Sequence, residues 1–323
     1  MKASANHKQK RAATFEAVLA HAIDQQPVKP KSLIMSIFGD SIVPRGGSIW
    51  LGGIVKLAAS FGLAEPLVRT STLRLASDGW LMRQQIGKLS FYSMTEAYAA
   101  ADAAYQSQIY GAAASLRRNG WTIFKMFAEQ LDRKEVYRLT NILNRNGFGQ
   151  LGSGVYIHPS IARSVMQHII RRTDGGDAGV AFFSSTLRAQ EGSSATLARV
   201  AWDLSELHSG YQEFIETFER VPTLLDTGEP EPQTAFALRT LMVHRFRRLA
   251  LKDPRLPAES LSEPWPGEAA FDLMSNSYQR LVPPSEIYLD GIEGTGLRDR
   301  RAWKKEISSR FSRDTSAEPM PMA

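Results

Sequence analysis

The sequence predicts an α+β chain in three parts: an N-terminal winged helix-turn-helix, a central ferredoxin-like (split βαβ) domain and a C-terminal all-helical domain. Three observations lead there. Helical patterns at 32–38 and 49–61 precede a third at 66–78, which runs into a basic hairpin tipped by Ile86-Gly87-Lys88. That is the order a winged helix-turn-helix needs, with its last helix in the major groove. Between 121 and 187 the pattern reads strand, helix, strand, strand, helix, strand. From 195 onward the periodicity is helical.

Residues 1–13 are polar and basic and read as a disordered arm. The domain spanning 14–110 opens with a short helix carrying Phe15, Val18, Leu19 and Ile23 on one side, closed by Pro27 and Pro30. The next helix (Leu33, Ile34, Ile37, Phe38) ends at Gly39-Asp40, and Ser41 to Ser48 is turn chemistry around Pro44 and Gly46-Gly47. Trp50, Ile54, Leu57 and Ala58 form the stripe of the following helix, and Gly62 sits where a C′ glycine belongs. Pro66 suits a first helical turn, and an alanine- and tyrosine-rich helix at 96–109 leads out. The central domain, 115–190, pairs strands at 121–128, 148–151, 155–158 and 179–187 with helices at 132–145 and 159–172, and reads as a dimerisation platform. The helical domain, 195–289, has helices at 195–207, 210–220, 234–251 and 268–281, the last stopped by Pro283-Pro284. Beyond it, 290–323 reads as a flexible basic tail.

The 323 residues suffice for two or three domains, and 43% hydrophobic content supports packed cores. Lys and Arg number 39 against 33 Asp and Glu, a net charge of +6 that favours a polyanionic partner. The absence of cysteine excludes disulfides, thiolate nucleophiles and cysteine zinc sites. No apolar run approaches a membrane span and no signal peptide is evident, so a cytoplasmic location without membrane contact is expected. The six histidines are scattered without ligand spacing, and neither a Walker loop nor a G-x-S-x-G is present. No catalytic or metal-binding residue is therefore assigned, and no cofactor is expected.

With Val68 as reference on a 3.6-residue wheel, Thr72, Leu75 and Gly79 share its side. Thr70, Leu73, Arg74 and Ser77 face the other way, flanked by Arg69. Arg69 and Arg74 are long enough for guanine edges, Leu73 is out of place on a solvent face and would suit contact with a thymine methyl, and Arg83 and Lys88 of the hairpin suit phosphates. In the helix at 234–251, Ala235, Leu238, Met242, Phe246 and Leu249 form an inward stripe. His244, Arg247 and Arg248 cluster opposite, extended by Lys252 and Arg255. That cluster suits an anionic ligand or simply a solvated face with cations at the helix end. Arg45, between Pro44 and Gly46, suits a phosphate or a domain interface, and the loop equally reads as a rigid turn with Trp50 as core.

Three blocks occurring in order, SLIMSIFGDSIVPRGGSIWLGGIV, EPLVRTSTLRLASDGWLMRQQIGKLSFYSMTE and LMVHRFRRLALKDPRLPAESLSEPW, resemble the PaaX repressors of phenylacetate catabolism over residues 14–290. The resemblance implies a homodimeric repressor that binds a palindromic operator in double-stranded DNA and is released by phenylacetyl-coenzyme A. Its VRTSTLRL block places Arg69, Thr70 and Arg74 on DNA, and its IGKLSFY block places Lys88 on the wing. Its RGG-IW element maps to Arg45, Gly46, Gly47, Ile49 and Trp50, and its HRFRRLALKDPRLP element to His244, Arg245, Arg247, Arg248, Lys252 and Asp253. Charge alone assigns the arginine cluster to coenzyme phosphates. Thr72 departs from the pattern, since a small apolar residue would pack better there. The alternatives are a different aromatic acyl-coenzyme A as effector, a scaffold docking protein instead of DNA, and a metal-dependent nuclease. For the nuclease, the central domain also resembles the small CRISPR-associated endoribonucleases, but its first strand lacks their terminal Asp, the nearest carboxylates being Glu129 and Asp132.

Overall fold

The structure, a computed structural model, describes residues 14–111, 121–159, 161, 165, 166, 169, 180–185, 193–256, 260, 261, 264–292 and 300–312. The expected N-terminal arm, the block 116–120 and most of the helix expected at 159–172 lie outside them. The chain is mixed helix and sheet, with two small antiparallel sheets among the described residues. It divides into two compact units, each discontinuous in sequence. The first comprises Met1–Thr95, Phe214–Arg245 and Asp272–Arg310; the second comprises Glu96–Glu213, Phe246–Phe271 and Phe311–Ala323. The helices beyond 195, expected as one domain, are thus divided between the two.

In the first unit, α1 (Phe15–Gln25) is capped by the Thr14 hydroxyl, and α2 (Pro30–Ile37) starts on its proline. A π-helical turn, Phe38–Ile42, carries the chain past the point where the sequence suggests a stop. β1 (Ser48–Trp50) then precedes α3 (Leu51–Ala59), so Trp50 stands at the end of a strand and not inside a helix. α4 (Glu65–Ser77) ends at Gly79, whose φ of +74° lets the chain reverse at once into β2 (Leu81–Ile86). A two-residue turn, Gly87-Lys88 with Gly87 at φ +58°, joins β2 to β3 (Leu89–Met94). The sheet order is β1-β3-β2, which puts β3 in the middle and leaves β2 at an edge. Leu81, Tyr92 and Met94 on one face of this hairpin are buried, whereas Met82, Ile86 and Leu89 on the other are exposed.

The second unit opens with α5 (Glu96–Tyr110). β4 (Trp121–Met126) and α6 (Arg133–Arg145) follow, then β5 (Gly149–Gly152), β6 (Val155–His158) and β7 (Val180–Ser185). The sheet order is β5-β6-β4-β7, antiparallel throughout. Phe124, Met126 and Tyr156 from the sheet bury against Leu139 and Leu143 of α6. Ile161, Val165, Met166 and Ile169 join that core at helical spacing.

The remaining helices are α7 (Ser193–Ala201), α8 (Ser205–Phe218), α9 (Arg220–Thr227), α10 (Pro232–Ala250), α11 (Pro266–Asp290) and α12 (Arg300–Ser309). Three depart from expectation. α9 occupies part of the proline- and glutamate-rich stretch, Pro222 to Gln233, which lies between the helices expected at 210–220 and 234–251 and reads as a loop. α11 continues through Pro283 and Pro284 because Leu281, Val282 and Leu289 are buried on both sides of them, and tertiary burial overrides propensity. In the segment expected as a flexible tail, α12 is followed by buried Arg310 and buried Phe311.

His158 is buried in the second unit, its ring 5.2 Å from that of Phe148. Burial, reinforced by the nearby Arg255 cation, pushes its imidazole down to about 3 from an ordinary 6.5. The unfolded chain therefore takes up a proton near 6.5 that the folded chain refuses, so this contribution is complete above that value and lost as pH falls toward 3. His158→Gln should flatten the dependence of urea-unfolding stability on pH across that window; an unchanged slope would assign it to other groups.

Candidate nucleic-acid interface

α4 begins with Glu65 and Pro66, an acid in the first turn and a proline where no N–H is needed. Val68, Ser71, Thr72 and Leu75 are its buried side. Arg69, Thr70, Leu73, Arg74 and Ser77 are all exposed, Leu73 at 50%. Thr72 is wholly buried, yet its hydroxyl donates to the Val68 carbonyl at 2.9 Å, so no polar group is stranded and its methyl packs as an apolar residue would. Arg69 folds back one turn onto Glu65, with Nε and Nη2 each 2.7 Å from Oε1. Arg74 forms no ion pair among the described residues.

Arg83 lies along its own hairpin. Its Nη2 donates to Ser90 Oγ at 2.9 Å and to Gln85 Oε1 at 3.1 Å, and Gln85 Nε2 donates to the Gly87 carbonyl at 3.1 Å. This lattice stiffens the turn that presents Lys88, which is exposed. All seven residues expected to face DNA are thus exposed, on one helix and one hairpin of the first unit.

The residues expected to bind an effector have diverse surroundings. In the first unit, Arg45 is buried and donates to the carboxylates of Glu286 and Asp290 on α11. Trp50 is half-buried, in register with Phe91 of β3. His244 Nδ1 lies 2.8 Å from Ser36 Oγ. Arg245 donates to the Ala22 and Gln26 carbonyls, which end α1, and stands over the Phe218 ring. The expected polar face of α10 therefore does not begin at His244, because every residue from Ala235 to Phe246 is buried. In the second unit, Arg247 is half-buried, 3.7 Å from Asp102 of α5, while Arg248 and Lys252 are exposed. Arg255, at φ +51°, donates to the Gln108 and Gly111 carbonyls. Asp253 gathers Tyr211 Oη at 3.0 Å, Trp265 Nε1 at 2.9 Å and the Arg255 amide at 2.7 Å.

A buried ionic network in the first unit has no counterpart in the sequence pattern. Arg239, 1% exposed, donates through Nε to Asp40 at 2.9 Å and through Nη1 to Glu286 at 2.9 Å. Arg310 reaches the same Asp40 carboxylate at 3.1 Å, and Tyr278 donates its hydroxyl to it at 2.8 Å. Its one local signal is an arginine inside the apolar run AFALRTLMV.

Among the described residues no group of three or more His, Cys, Asp or Glu is positioned to hold a metal, and no helix is long and apolar enough to cross a membrane. Asp132, a carboxylate of the nuclease reading, caps α6 by accepting the Glu135 amide at 2.8 Å. Glu129 is exposed in a short 3-10 turn, Ala128–Gln130.

Two family models match the chain: PaaX-like protein over residues 29–98 and PaaX-like protein C-terminal domain over residues 202–291. The chain is 34% identical over 279 residues to the transcriptional repressor PaaX of Escherichia coli K12, covering 85% of this chain and 87% of that protein. It also shares its fold with the uncharacterized protein Rv0674 of Mycobacterium tuberculosis, at a TM-score of 0.50 and 19% identity over 80% of this chain and 98% of that one. The two arginine environments separate in a stability measurement. Arg45→Ala leaves Glu286 and Asp290 short of a cation and should cost about 3–5 kcal/mol in urea unfolding. Arg248→Ala with Lys252→Ala should stay within about 0.5 kcal/mol of the parent. Equal losses would contradict the assignment of Arg45 to the core.

Proposed function

The chain belongs to the PaaX family, and on that premise we propose that it is a DNA-binding transcriptional repressor of a phenylacetate catabolic operon, released from its operator by phenylacetyl-coenzyme A. The observation that carries the reading is the exposed face of α4 followed directly by the hairpin with Lys88 at its turn, inside the segment matched by the family model. In this reading α2, α3 and α4 with the β1-β3-β2 sheet work as a winged helix-turn-helix: α4 enters the major groove and the hairpin tracks a phosphate strand. The name of the Escherichia coli relative supports repression as the outcome.

The β5-β6-β4-β7 order with α6 supports a ferredoxin-like layout for the central part, which in this reading joins two copies on a palindromic operator. For the effector, the coenzyme phosphates fall to Arg248 and Lys252, the two cations of the expected set that are exposed and carry no ion pair among the described residues. Arg45 and Arg245 already engage carboxylates and carbonyls within the protein.

A gel-shift titration on DNA upstream of its own gene, with and without phenylacetyl-coenzyme A, tests the proposal. A shift reversed by phenylacetyl-coenzyme A and not by coenzyme A is expected; reversal only by another aromatic acyl-coenzyme A would move the operon assignment, and no shift would defeat it. Lys88→Ala should weaken binding to operator and random DNA alike and lower the salt slope by about one. Arg74→Ala should cost about 1–3 kcal/mol on the operator and relax specificity, whereas an equal loss on random DNA would make it a phosphate contact. Arg248→Ala with Lys252→Ala should keep operator affinity and blunt release; unchanged release would take both residues out of the effector site.

A further inference from the structure

The exposed face of α4 carries charge only along its edges. Pro66, Thr70, Leu73 and Ser77 succeed one another at helical spacing along the middle of that face, and all four are exposed. At about 100° per residue, Arg69 and Arg74 lie roughly 70° to either side of that line. Arg69 is held by Glu65, whose carboxylate lies on the same edge and offsets its charge. The Thr70 hydroxyl donates to the Pro66 carbonyl at 2.9 Å, so its hydrogen is engaged inside the helix. What remains over the first three positions is hydrocarbon: the Pro66 ring, the Thr70 methyl and the Leu73 side chain, which is half exposed, with the Ser77 hydroxyl only at the far end of the line.

A hydrocarbon centre discriminates among base pairs by chemistry. Guanine, adenine and cytosine edges in the major groove present donors and acceptors that lose water without gaining a partner when an isobutyl group covers them. Thymine alone among the four presents a 5-methyl group there, and burying methyl against methyl gains free energy on both surfaces. We infer that α4 reads thymine 5-methyl groups through the Pro66–Thr70–Leu73 stripe, with Leu73 as the principal specificity-determining contact and Arg69 at the groove wall. This rests on the DNA-binding reading above. It extends the thymine-methyl contact that the sequence suggests for Leu73 to a three-residue stripe, departs from the expectation that both arginines seek guanine edges, and leaves Arg74 as the cation free to do so.

The test uses the full-length protein. A duplex is first selected by it from a random-sequence pool, and each thymine is then replaced singly by deoxyuridine, which removes only the 5-methyl group. At one or two positions per half-site the replacement should weaken binding about three- to tenfold. Leu73→Ala should weaken binding to the thymine duplex by a similar factor and bring the thymine-to-deoxyuridine ratio at that position close to one. Because residue 73 is exposed on a helix and Ala is a good helix former, the far-UV spectrum and urea midpoint should not move. Indifference of the parent protein to every deoxyuridine, or an undiminished ratio in Leu73→Ala, overturns the inference while leaving DNA binding intact. Failure to enrich any duplex overturns the DNA-binding reading itself.

Discussion

The carboxylate of Asp40 is the point on which the first unit depends. It lies on the π-helical turn after α2 and takes up Arg239 from α10, Arg310 from beyond α12 and Tyr278 from α11, partners as far as 270 residues away in sequence. Burial alone would raise its pKa; the Arg239 and Arg310 guanidiniums, with the Arg239 and Tyr278 hydrogen bonds, hold it below the ordinary carboxylate value. Arg239 passes the connection to Glu286, which also accepts from Arg45, and Arg45 reaches Asp290. Burying such charges costs much of what their pairing returns, and the network ties α10, α11 and the turn after α2 to one another through the acceptors that each guanidinium fills. The loop that Arg45 anchors leads into β1, which pairs with β3 and so steadies the hairpin.

This arrangement explains what the sequence can and cannot reveal. The two faces of α4 are legible because Val68, Thr72 and Leu75 repeat at the helical period, and burial follows that period. The hairpin is legible because Gly87 supplies the positive φ that a two-residue turn demands. The role of Arg239 is not, because its acceptors lie 199 and 47 residues away and no local pattern encodes them. The continuation of α11 through Pro283-Pro284 is hidden for the same reason: local propensity says stop, and burial at Leu281 and Leu289 decides otherwise. Cations read as a ligand-binding row divide by burial, which charge spacing does not encode: Arg45 and Arg245 serve the core, and Arg248 and Lys252 remain at the surface.

In the proposed repressor, affinity and selectivity have separate sources. Long-range attraction to DNA comes from cations such as Lys88, whose contribution falls with salt. Selectivity comes from a short stripe on α4 that offers hydrocarbon to the groove floor, with Arg74 beside it to reach a guanine edge. A helix that discriminates by shape and methyl packing must be held at a fixed depth, since two apolar groups drawn apart by about 1 Å forfeit much of their attraction. Rigid support from buried segments far along the chain is what such a reader requires.

The central claim is that the α4 and hairpin surface belongs to a discontinuous unit completed by residues 214–245 and 272–310. Its most direct test is urea unfolding, followed by far-UV circular dichroism, of residues 14–95 produced alone beside the full-length chain. Without α10, α11 and Arg310, Asp40 and Arg45 lose their partners and Ser36 of α2 loses His244. No cooperative transition is expected for the fragment. A cooperative transition with a midpoint near that of the full-length protein would contradict the central claim.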